Sequence, residues 1–106
     1  MDSKNTNKYE DLGMTPHMYA AYNSHSNVAA FLVQKGADIN AKDDDQSTAL
    51  MYAAFSGSKA TVELLIEKGA DVNSKDNLGF TALDYSTMKS GGNTEIRDLI
   101  ASHMNN

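Results

Sequence analysis

Apolar positions along the chain fall in short clusters separated by polar, glycine-bearing stretches, and the clusters repeat. His17-Met-Tyr-Ala-Ala-Tyr22 returns as Leu50-Met-Tyr-Ala-Ala-Phe55, 33 residues further on. Leu50, Ala53 and Ala54 share one side at spacings i, i+3 and i+4, which predicts a short helix. The alanines supply small side chains that let helices approach closely. A turn at Asn23-Ser24, or Ser56-Gly57, leads to a second apolar cluster. Val28, Phe31 and Leu32 form it in one unit, and Val62, Leu64, Leu65 and Ile66 in the next, predicting a second helix. That helix closes on Lys35-Gly36 or Lys68-Gly69, a cation in the last turn and the glycine that a left-handed terminus favours. Thr15, Thr48 and Thr81 stand where an N-cap oxygen would satisfy a free backbone N–H. Thr81-Ala-Leu-Asp84 has the form of a capping box with aspartate in place of Glu or Gln. An extended stretch, Ala-Asp-Ile-Asn or Ala-Asp-Val-Asn, then enters a turn such as Asp76-Asn-Leu-Gly79. One unit therefore reads helix, turn, helix, extended loop.

The same 33-residue offset pairs Thr15 with Thr48 and Thr81, and Tyr19 with Tyr52 and Tyr85. It also pairs Gly36-Ala-Asp-Ile-Asn40 with Gly69-Ala-Asp-Val-Asn73, and Lys42-Asp43 with Lys75-Asp76. So many coincidences at one offset define an internal repeat. In the third unit Ile96, Leu99 and Ile100 match Val62, Leu65 and Ile66 at an offset of 34, which places an extra residue within Ser90-Gly-Gly92 and predicts a longer, looser loop. The expected organisation is an arm over 1–9, repeats over 10–42 and 43–75, and a third repeat with a C-terminal cap over 76–106. Arg97, Asp98, Ser102 and His103 make the last helix polar enough to cap the stack. Met1 to Tyr9 reads as a disordered arm, an irregular lid, or the scar of a truncated longer array. About three units are the minimum for a stable stack, because each buries its apolar side only against neighbours.

These residues resemble the ankyrin repeat. The family pattern Gly-x-Thr-Pro-Leu-His-x-Ala-Ala, followed by Gly-Ala-Asp-Val-Asn-Ala-x-Asp, is met by Gly13-Met-Thr-Pro16 and by Gly36-Ala-Asp-Ile-Asn-Ala-Lys-Asp43, and the likeness runs from Glu10 to about Met104. It implies an all-α solenoid of stacked helix-turn-helix units with extended, hairpin-like loops, serving as a non-catalytic protein-binding module. The chain departs from the pattern at Gln46, where the family turn has glycine, so this tip either turns differently or strains a positive-φ position. Met18, Met51 and Asp84 replace the family histidine, and Ala49 and Ala82 its proline. The resemblance implies that Tyr19, Tyr52 and Tyr85 line a concave groove as one row, with Tyr22, Phe55 and Met88 beside them. The turn tips Asp11, Leu12, Met14, Asp44, Asp45, Ser47, Asn77, Leu78 and Phe80 complete the expected contact surface. Aromatics supply large contact area at low rotamer cost. The alternative is that the tyrosines only pack on their own repeats with hydroxyls in solvent.

Composition narrows the chemistry. The chain has 106 residues, 41% of them hydrophobic, and a formal net charge of −5. Its nine basic residues are scattered, which argues against phosphate-backbone binding and so against DNA or RNA. No apolar run approaches the ~20 residues a spanning helix needs. No signal peptide is evident, so a cytoplasmic location is the default expectation. The chain contains no cysteine, which removes disulfides and thiolate metal sites. His17, His25 and His103 lack the i, i+4 spacing of a helical metal pair and read as structural or surface residues. Asp43-Asp-Asp45 fails as a calcium loop, since the twelfth position is Ala54. With Asp76, Glu10 and Asp11 these acids read as solvated turn residues or as an acidic edge engaging a basic partner. Ser56-Gly-Ser58 lacks a base and an orienting acid, and Gly91-Gly92 lacks the residues of a phosphate loop. The expectation is a protein partner, with a basic surface, and no catalytic residue, metal or cofactor. An inhibitor or immunity-type regulator suits this chemistry. The alternative is a structural fragment or spacer of a longer array. A monomer is expected, with self-association through an uncapped N-terminal face left open.

Overall fold

The computed structural model describes residues 13–88 and 93–104. The expected arm, the acidic residues Glu10 and Asp11, the tip residue Leu12 and the loop at Ser90-Gly-Gly92 lie outside them. Six helices and no strand occur among the described residues: α1 Pro16–Tyr22, α2 Ser26–Gln34, α3 Ala49–Ser56, α4 Lys59–Glu67, α5 Ala82–Ser86 and α6 Thr94–His103. They pair as α1 with α2, α3 with α4 and α5 with α6. The first helices α1, α3 and α5 pack side by side in one layer, and α2, α4 and α6 in a second.

Local chemistry sets the ends. The Oγ1 of Thr15, Thr48 and Thr81 accepts from the N–H of Met18, Met51 and Asp84, at 3.2, 3.4 and 3.4 Å. Asp84 returns the favour by accepting the Thr81 N–H at 2.9 Å, closing the expected capping box. Met18 does the same with its thioether sulfur, 3.4 Å from the Thr15 nitrogen, a variant the sequence pattern did not suggest. Gly36 and Gly69 take φ of 107° and 102° at the ends of α2 and α4. There Ala37 and Ala70 donate back to the carbonyls of Leu32 and Leu65 at 3.0 and 2.9 Å.

The core lies between the layers. Ala20, Ala21, Ala53 and Ala54 are buried, as their role in close helix approach requires, together with Met18, Leu50, Met51, Val62, Leu65, Ile96 and Ile100. The second helix of the first unit departs from its apolar pattern. Val28 is 48% exposed and Phe31 55%, with the Lys35 ammonium 5.6 Å from the Phe31 ring centre. The physical reason is register: α2 turns Ala29 into the core, and its substantial helix contacts among the described residues are with α1 and α4. In α6 the buried pair is Ile96 and Ile100, four apart, with Leu99 half-buried.

The loops form a second line of contacts. Asp43 N–H donates to Ser47 O at 3.0 Å and Gln46 N–H to Asp43 O at 2.9 Å; Asp76 with Phe80, and Gly79 with Asp76, repeat this at 3.0 Å each. Gln46 keeps the family turn and takes the strained left-handed value, φ 65°, where Gly13 and Gly79 have 75° and 85°. Successive loops are tied together, since Asn77 N–H donates to Asp45 O at 3.0 Å and Asp71 N–H to the Asn40 side chain at 2.8 Å.

Candidate functional site

Each described hairpin is organised by one buried carboxylate. Asp43 Oδ1 accepts the N–H of Asp45 at 2.9 Å and of Ser47 at 2.8 Å, and its Oδ2 accepts the Tyr52 hydroxyl. Asp76 repeats the arrangement with Leu78 and Phe80, both at 2.9 Å, and with the Tyr85 hydroxyl. Asp43 and Asp76 are only 3% and 9% exposed, which corrects their expected place on a solvated acidic edge. A carboxylate that accepts several N–H groups is held inside by those donors, leaving Asp44 and Asp45 as the exposed acids of the Asp43–Ser47 tip. The expectation that leaves the tyrosine hydroxyls in solvent needs correction for Tyr52 and Tyr85: theirs donate to Asp43 and Asp76 and brace the loops against α3 and α5.

The electrostatics follow from this bracing. Burial, and then the neighbouring carboxylates of Asp43 or Asp76 and Asp45, push the phenols of Tyr52 and Tyr85 well above their ordinary value. Burial would raise Asp76, but the Tyr85 hydroxyl and the backbone N–H groups of Phe80, Leu78 and Gly79 outweigh it and hold the carboxyl below its ordinary range.

Between the braced rings lies an apolar groove of about 180 Å³, lined by Tyr22, Ser47, Met51, Tyr52, Phe55 and Tyr85. Tyr22 meets Tyr52 edge to face with centroids 6.1 Å apart, and Phe55 meets Tyr85 likewise at 6.3 Å. A more polar cleft of about 260 Å³ adjoins it, lined by Asp45, Ser47, Asp76, Asn77, Leu78 and Tyr85. Of the expected contact residues, these two clefts gather Tyr22, Asp45, Ser47, Tyr52, Phe55, Asn77, Leu78 and Tyr85. Ser47 lines both yet is 8% exposed, so it forms wall rather than open surface. Tyr19, Asp44, Phe80 and Met88 line neither cleft. Phe80 packs edge to face on Tyr85 at 5.9 Å, and Met88 lies beyond the end of α5, whose C-cap is Thr87. Sequence reasoning missed two lining residues. In the sequence Met51 reads as a replaced family histidine and Asp76 as a turn acid or part of an acidic edge, although each sits at a fixed interval from a tyrosine.

No three His, Asp or Glu side chains gather to hold a metal ion among the described residues. No described helix is long and apolar enough to cross a membrane. The chain matches a family model described as ankyrin repeats, in three copies, over residues 1–76 and 42–106. No curated protein matches it.

Proposed function

The chain belongs to the ankyrin repeat family, and from that premise we propose that its groove and adjoining acidic tip are the surface that binds a protein partner. Ankyrin repeats are in general protein-protein interaction modules and typically non-catalytic. The observation that carries the reading is the continuity of the two clefts, which share Ser47 and Tyr85 and so present an aromatic floor and a polar rim side by side. Apolar centres with polar rims are the anatomy of protein interfaces. Because Tyr52 and Tyr85 are already fixed by Asp43 and Asp76, little side-chain entropy remains to be lost on binding. Such a preordered surface suits an inhibitor or immunity-type regulator, which must hold a toxin, effector or enzyme tightly.

The test is a partner purified from the native cell and titrated against the wild type and a Tyr22→Ala/Phe55→Ala double variant. Aromatic anchors of this kind cost about ten-fold or more in affinity when removed. Unchanged affinity, with circular dichroism showing an intact fold, would rule the groove out.

A second reading, a spacer within a longer array, is favoured by the exposed Val28 and Phe31 on α2. It implies association through that side, and a concentration-independent monomer in sedimentation velocity would count against it.

A further inference from the structure

The geometry points to the partner's chemistry: an arginine with an apolar residue one or two positions away in an extended segment, its guanidinium at the Asp45 rim and the apolar side chain in the aromatic groove. This rests on the groove being the contact surface.

The charge balance of the site carries the inference. Two carboxylates, Asp43 and Asp76, are buried beside the clefts, and their hydrogen bonds come from N–H and phenol donors rather than from a cation. Neither cleft is lined by a lysine or arginine. The ion pairs of the described residues lie elsewhere, Lys59 with Glu63 at 4.0 Å and Arg97 with Asp98 at 2.9 Å. Asp45 adds a third negative charge at the rim, where its side chain is exposed. Its field reaches both phenols, since it contributes to the raised pKa of Tyr52 and of Tyr85. The site is thus an uncompensated negative potential over aromatic rings, and the complementary ligand is a cation with apolar surface.

Arginine meets both demands better than lysine. Its planar, weakly hydrated guanidinium stacks on aromatic faces and binds a carboxylate with two parallel hydrogen bonds, whereas an ammonium is a compact and strongly hydrated charge. The second side chain follows from adjacency. The apolar groove opens across Ser47 and Tyr85 from the acidic cleft. An extended segment advances about 3.3 Å per residue, so neighbouring positions reach both.

A random-peptide display library selected on the full chain and counter-screened on the Tyr22→Ala/Phe55→Ala variant tests this. The expected result is a set of peptides that bind only the wild type and carry arginine within two positions of an aromatic or aliphatic residue. For a synthetic peptide from that set, Asp45→Asn should weaken binding about ten-fold and flatten its salt dependence, with the far-ultraviolet spectrum and urea midpoint unchanged. Arg→Lys in the peptide should weaken binding about five-fold. Groove-dependent peptides with no arginine enrichment, or indifference to Asp45→Asn, overturn this inference and leave the proposed function standing. Peptides indifferent to the double variant, or an empty selection, overturn both.

Discussion

His17 stands at the position the 33-residue offset pairs with Leu50 and Leu83, yet it is 2% exposed. Its Nδ1 lies 2.8 Å from Thr15 Oγ1, and its buried Nε2 meets no partner at good hydrogen-bond geometry, although the Asp38 backbone is close enough to favour the charged ring. Burial lowers its pKa from 6.5, against the opposing pull of the Asp38 backbone and charge. The unfolded chain therefore takes up this proton first. Its stabilising share is whole above pH 6.5 and is lost as pH falls toward the folded value. His17→Leu should raise stability by about 1 kcal/mol or more at pH 7, by removing an unsatisfied polar atom, and should reduce the loss below pH 6.5. Urea titrations at several pH values check both. Gln46 is strained at φ 65°. Gln46→Gly should stabilise by up to ~1 kcal/mol, the left-handed penalty less the added entropy of glycine, read as a higher urea midpoint at constant slope. Both sites were half legible. The offset displays the replaced residue in each case, Leu by His and Gly by Gln, but whether the backbone yields or strains is decided by the fold around it.

At the scale of the element, caps and glycine termini were readable because they depend on neighbours within five positions. The coupling of loop to helix was not. Asp43 and Tyr52, like Asp76 and Tyr85, are nine residues apart, an interval that belongs to neither helix nor strand period. A turn that buries its aspartate carries the same letters as one that solvates it. The recurrence of the pair at 33 residues was the available signal. Tyr52→Phe and Tyr85→Phe should each cost about 1–3 kcal/mol, since each leaves a buried carboxylate short of a donor. Faster amide exchange at Ser47 or Phe80 would separate loosening of the hairpin from a change in the helix. The raised phenol pKa values add a pH signature. The folded phenols hold their protons when the unfolded ones release theirs, so this stabilisation is full below pH 10 and is lost as pH climbs through the folded values. The double Tyr→Phe variant should lose that alkaline sensitivity.

Across the whole molecule, every substantial helix contact joins partners within a unit or units next to each other. Among the described residues, the middle unit thus carries the substantial helix contacts that link the outer two. Leu65→Ala, at a fully buried site in α4, should cost about 2–5 kcal/mol and lower the midpoint of a single transition rather than release one end. This scale also explains Val28 and Phe31. An apolar pattern marks a helix side but does not say whether a neighbour covers it, so Phe31 and its better-covered counterpart Leu64 read alike in the sequence. The Asp-to-phenol bonds have a further, optical consequence. The chain has five tyrosines and no tryptophan, so phenol emission dominates its intrinsic fluorescence. A phenol bonded to a carboxylate in the ground state passes its proton on excitation and emits weakly. Tyr52 and Tyr85 should therefore be dim in the native protein and brighten as the hairpins let go, a label-free light signal for loop release.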